Sequence, residues 1–140
     1  MCALSGCSSP SSATDVQVTL RDTSIASSLS AFAVGVAYHF AATNAGTTVH
    51  EFMIAPPPTA ATEQDMRAVA LAYIPPFAPG TTQTVDYTFT QLATSGSLEF
   101  ACHLGGHYQL DMRLPITVTQ AGTTHLARSH SRGGATLLVR

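Results

Sequence analysis

The sequence predicts an all-β fold: a two-sheet Greek-key β-sandwich carrying one short inserted helix. Three observations predict it. Polar and apolar residues alternate with period two in one stretch after another, as strands with a single buried face require. Gly, Pro and Asn punctuate these stretches at short intervals, leaving about seven strands with turns between them. Thr, Ala, Val and Ser dominate the middle of the chain and Trp is absent, a balance that favours strands over helices.

Residues 8–14 are Ser, Thr, Ala and Pro, the composition of a flexible tether. A first strand over 15–22 turns Val16, Val18 and Leu20 to one face. Residues 24–30 are small and polar, a loop or a short strand. Gly35 then makes a turn into a strand with Tyr38 and Phe40 on one side and His39 on the other, a surface position for a lone histidine. Asn44-Ala-Gly46 is a turn, and the next strand, 49–54, places His50, Phe52 and Ile54 on the inner face and Val49, Glu51 and Met53 opposite. Pro56-Pro57-Pro58 stops it. From Thr62 to Tyr73, a polar start followed by Met66, Val69, Ala70 and Tyr73 at helical spacing predicts the helix, capped by Thr62. Met53 and Met66 are core filler. Pro75 to Gly80 is a rigid linker into a strand over 81–90 carrying Val85, Tyr87 and Phe89 on one face. Gly96 turns the chain into 97–102, with Leu98, Phe100 and Cys102 inward. The last strand, 112–119, contains Pro115, tolerable only at an edge or a bulge.

Length and charge narrow the function classes. With 140 residues and 45% of them hydrophobic, the chain can build one core without disulfide staples. Charged residues make up 10%, lysine is absent and the formal net charge is −2, so there is no basic stripe for nucleic acid. No span of about 20 apolar residues is present to cross a membrane as a helix.

The chemistry concentrates in Phe100-Ala-Cys-His-Leu-Gly-Gly-His-Tyr-Gln-Leu-Asp-Met112. Cys102, His107 and Met112 follow one another with four residues between each pair. Thiolate, imidazole and thioether are soft or borderline donors suited to copper in both oxidation states, and two His, one Cys and a weak axial Met describe a blue-copper site. One histidine is missing from the stretch. His50, inward on its own strand, supplies it. His103 lies beside Cys102 and by alternation faces outward, solvated.

These two segments resemble the cupredoxins, in particular the small periplasmic members with a His-Glu-Phe segment and a Cys-His-Leu-Pro-Gly-His-Tyr-Glu-Ala-Gly-Met type of loop. The resemblance covers roughly residues 16–119. It departs from the pattern at Gly105 in place of Pro, Gln109 in place of Glu, and Leu110-Asp111 in place of Ala-Gly. The missing proline implies a less rigid loop, and Asp111 must take up the conformation that glycine otherwise adopts. The resemblance implies one type 1 copper ion on His50, Cys102, His107 and Met112, with Asn44 and Glu51 fixing the two loops to each other. It implies an electron port at the edge of His107, ringed by Leu104, Gly105, Gly106 and Pro56. The function implied is one-electron transfer between periplasmic partners, with a transient contact to a cytochrome or copper oxidase, by a monomer that is not an enzyme. The alternative implied by the same subfamily is copper binding for tolerance or delivery.

The remaining cysteines, Cys2 and Cys7, precede any structured segment and argue against a disulfide framework. Leu4-Ser-Gly-Cys7 is similar to a bacterial lipobox, which predicts a periplasmic protein tethered through a lipid on Cys7. It lies too near residue 1 for a charged start and an apolar stretch of roughly 7–15 residues to precede it, so the expected native start is further upstream. The division expected is a leader and tether at 1–14, the copper domain at 15–120 and a weakly ordered tail at 121–140, where His125 and His130 lack carboxylate or cysteine company.

Overall fold

Alternation decides the first strand, β1 (Thr14–Arg21), in which Val16, Val18 and Leu20 are buried while the residues flanking them are exposed or half-exposed. It belongs to a computed structural model that describes residues 12–59 and 62–122. The expectations for Cys2, Cys7 and most of the C-terminal tail fall outside those residues.

β2 (Ser24–Ser27) folds back on β1, and β3 (Ala31–Ala33) crosses to the opposite layer. Gly35, at φ 81°, makes the turn into β4 (Ala37–Asn44), which pairs parallel with β1 so that Leu20 faces Asn44. β5 (His50–Ala55) starts the other sheet. After the helix α1 (Glu63–Val69) come β6 (Ala72–Phe77), β7 (Thr82–Thr88), β8 (Ala93–Ala101) and β9 (Arg113–Thr119). The sheets run β2-β1-β4-β7 and β3-β9-β8-β5-β6, a two-layer sandwich.

Between the layers, Phe32, Tyr38, Phe40, Phe52, Phe89 and Phe100 pack edge-on or tilted, with neighbouring ring centroids 4.9 to 6.2 Å apart. Burying each ring is worth about 1.5–3 kcal/mol, and truncating a central one such as Phe40 costs about 3–5 kcal/mol. This aromatic core is the rigid base on which the loops at one pole stand.

β5 is buried along its whole length. Its inner residues join the aromatic core, and its outer residues Met53 and Ala55 pack with Met66 and Ala101 under α1. Met53 and Met66 are therefore packing residues. Thr62 caps α1 as expected: its hydroxyl accepts the N–H of Asp65, whose carboxylate accepts the N–H of Thr62.

The structure corrects the sequence reading in four places. The helix stops at Val69 rather than Tyr73, and Ala70 is already extended. Pairing with β5 takes Ala72, Tyr73 and Ile74 into a strand, and Pro75 favours the same extended backbone at the residue before it. Residues 75–77 are accordingly part of β6 and not of a linker. As the edge strand, β6 tolerates two residues without N–H donors. Gly96, at φ 89°, sits within β8 where its register against β9 shifts, instead of preceding the strand. Finally, nine strands form among the described residues, because β3 and β6 are too short or too proline-rich to show alternation. Pro115 is accommodated because β3 pairs only with Thr117–Thr119, leaving that flank of Pro115 without a strand.

Candidate metal centre

Three elements end at the same pole: β5 begins there with His50, β8 delivers Cys102, and β9 begins just after Met112. Between β8 and β9, the N–H of His107 donates to the carbonyl of Leu104 at 2.8 Å, with Gly106 at φ 83°, the geometry of a type II turn. A 3-10 turn over Tyr108–Leu110 follows. Asp111 then closes the loop at φ 70°, the sole non-glycine with positive φ among the described residues, which is the glycine-like conformation expected of it. Backbone bonds fasten the loop at its base: Cys102 N–H to Met112 O at 3.1 Å, and Met112 N–H to His107 O at 3.3 Å.

The fold brings His50, Cys102 and His107 together, with one donor atom from each lying within 4.8 Å of the others. His50 Nδ1 is 3.2 Å from His107 Nδ1 and 4.0 Å from Cys102 Sγ, and Cys102 Sγ is 3.4 Å from His107 Nδ1. A triangle with these edges has its centre about 2 Å from each corner, the length of a bond from nitrogen or sulfur to a first-row metal ion. These residues could hold one metal ion, and the donor set of two imidazoles and a thiol is of the kind copper takes. His50 and Cys102 are fully buried and His107 is half-buried. Met112 is fully buried in the same core cluster as Cys102.

Around these donors, the N–H of Glu51 points at Cys102 Sγ across 3.5 Å. Burial holds the His50 imidazolium form down, with its bond to Asp22 opposing that shift, so the ring is set as a neutral donor. The Glu51 carboxylate accepts the N–H of His103 at 3.2 Å. The Asn44 side chain bonds Thr48 O at 2.9 Å, Phe77 O at 3.0 Å and Gly46 N–H at 3.0 Å, fixing the turn before His50 and the end of β6.

Several neighbours were invisible in the sequence. Asp22, just past β1, approaches His50 Nε2 with Oδ1 at 3.0 Å. Its hydrogen bonds from Thr47 hold its carboxyl far below the usual range. Arg67 and Tyr73 donate to Glu51 Oε2 at 3.1 and 3.0 Å. No spacing links these residues to the ligand stretch, since each depends on which strands pair. His103 is a correction: it does point away from Cys102, yet it is 9% exposed and stacks on Tyr108 at 4.5 Å, because the 3-10 turn folds over the outer face of β8.

At the surface, Gly105 and Gly106 are exposed and Leu104 is half-buried beside His107. Val49 and Leu110 add exposed apolar surface next to the ligand segments in the chain. Pro56 is not part of this rim, since it follows the far end of β5 and lines a groove with Val69, Leu71 and Leu92. His39 pairs with Asp86 on the outer face of β4, away from the centre.

No protein family and no curated protein matches the chain by sequence. Solved structures do match by shape. A dithionite-reduced auracyanin from Roseiflexus castenholzii superposes with a TM-score of 0.58 at 19% identity, covering 77% of this chain and 98% of that one. Auracyanin B gives 0.59 at 16% identity over 76% and 89%, and an azurin from Methylomonas sp. strain J gives 0.55 at 14% over 78% and 100%. The fold is that of the cupredoxins.

Proposed function

We propose that this chain is a type 1 copper protein that carries single electrons, in which His50, Cys102, His107 and Met112 would hold the copper. The observation that carries the reading is the donor triangle, whose edges suit one ion bound to all three residues. Copper bound there supplies a Cu(II)/Cu(I) couple. The residues of the chain do the rest. His50 opens β5 and Cys102 follows β8 directly, its N–H bonded to Met112 O, and anchoring of this kind would keep the reorganisation on electron transfer small. The N–H of Glu51 stabilises negative charge on the thiolate sulfur. Half-buried His107 offers the short way out to solvent, and the small and apolar residues at 104–106 suit a brief, small contact with a redox partner. The auracyanin of like fold is reduced by dithionite, which supports a redox role. Met112, buried in the same core cluster as Cys102, would be the fourth residue to hold the metal, and the reading is a carrier rather than an enzyme. The partner is a periplasmic cytochrome or copper oxidase, met by a monomer.

Titration of the metal-free protein with Cu(II) tests the reading. The expected result is an intense blue colour from thiolate-to-copper charge transfer, at one copper per chain, absent in Cys102→Ser. A colourless complex with an ordinary copper spectrum overturns it.

A further inference from the structure

We infer that Asp22 is a positioning residue of the metal centre: its carboxylate accepts the Nε2–H of His50, fixes which ring nitrogen faces the site, and supplies negative charge that favours the oxidised metal. The inference rests on the reading of His50, Cys102 and His107 as copper ligands. It goes beyond the ligand set to a residue in the turn between β1 and β2.

The geometry builds this contact from several directions. β1 pairs parallel with β4, Leu20 against Asn44, which sets the residues after β1 beside the 44–48 turn. There the Asp22 carboxylate accepts the Thr47 N–H at 2.9 Å and the Thr47 hydroxyl at 2.6 Å. So anchored, Oδ1 stands 3.0 Å from His50 Nε2. A carboxylate can only accept, so Nε2 carries the hydrogen and Nδ1 presents its lone pair toward Cys102 and His107. The imidazole is fully buried and has no solvent to set its tautomer.

Gly46 shows that the contact is built into the turn. A Cβ there would overlap Asp22 Oδ1 and come within 2.6 Å of His50 Nε2. A carboxylate on the far side of a ligand imidazole strengthens its donation, and the higher charge of Cu(II) gains more from this than Cu(I) does.

Three variants of the full chain test it, read by the reduction potential of the copper-loaded protein and by imidazole 15N shifts of His50 in the metal-free protein. Asp22→Asn keeps an acceptor for Nε2–H and a donor for the Thr47 hydroxyl but loses the charge. It should hold the tautomer and weaken Cu(II) relative to Cu(I) about tenfold, which a one-electron couple reads as a rise of about 59 mV. Asp22→Ala should raise the potential at least as far and also release the tautomer. Gly46→Ala, which leaves the carboxylate in the chain but forces the pair apart, should likewise raise the potential.

A role confined to anchoring the turn would lower the melting temperature of both Asp22 variants and leave the potential at the wild-type value. That outcome overturns the inference while the wild-type protein still turns blue. A wild-type protein that does not turn blue overturns the copper reading itself, and the 15N shifts of the metal-free protein then decide the positioning role alone.

Discussion

The carboxylate of Glu51 accepts the backbone N–H of His103 at 3.2 Å. The residue following one ligand thus holds the residue following another, across two strands. The same carboxylate takes Arg67 and Tyr73 on its other oxygen, so the helix, the edge strand and the cysteine segment meet on one buried side chain. Glu51→Ala removes the acceptor and leaves that N–H and Arg67 to find other partners. A loss of about 3 kcal/mol in folding free energy is expected, with Glu51→Gln losing less, both read from denaturant midpoints. A loss below about 0.5 kcal/mol in the alanine variant would show that the network is incidental.

The turn at Leu104–His107 makes a second expectation. Gly105 occupies the position of a type II turn that proline favours, and a Cβ there meets nothing within 4 Å. Gly105→Pro should therefore stabilise the protein by about 0.4–1 kcal/mol, by narrowing the unfolded ensemble. Thermal unfolding of the metal-free protein checks it, and a lowered midpoint would mean that the turn differs from this geometry.

Much of this pole could be read before folding, and the reason is locality. Cys102, His107 and Met112 lie within one short loop, and the inward set of β5 follows from period two. The helix cap at Thr62 is likewise a pattern of neighbours. What escaped depends on pairing between distant strands. Asp22 reaches His50 because β1 lies beside β4, and His103 is covered because Tyr108 folds back over β8. The end of α1 escaped for a similar reason: the helical spacing runs on to Tyr73, and pairing with β5 claims Ala72, Tyr73 and Ile74 for a strand.

The two histidines of the proposed centre should differ when removed. His107 is half-buried on a loop, whereas His50 is sealed by Asp22 and the backbone of Gly46. With copper bound, His107→Ala should lose its blue band and regain it on addition of free imidazole. His50→Ala should lose it without rescue. His39→Ala should keep the wild-type spectrum and a stability within about 0.5 kcal/mol, since it breaks only an exposed pair with Asp86. Rescue of both ligand variants alike would contradict the difference in burial.

Glu99 contributes a pH dependence of its own. It is 3% exposed on the outer face of β8, and burial raises its pKa above the ordinary 4.5, against weaker opposing effects of Tyr108 and Arg113. One carboxylate oxygen has no hydrogen-bond partner among the described residues. In the folded state the carboxyl keeps its proton over a pH range in which the unfolded chain has released it. The contribution of Glu99 to folding stability is then fully present below pH 4.5 and is lost as pH rises through the folded value. Glu99→Gln cannot lose a proton and keeps an amide in reach of Tyr108. Its stability relative to wild type should therefore be flat at acid pH and grow toward neutrality, measured by urea midpoints between about pH 4 and pH 8. A difference that shrinks as pH rises would mean that Arg113 outweighs burial and that the ionised form is the one the fold prefers.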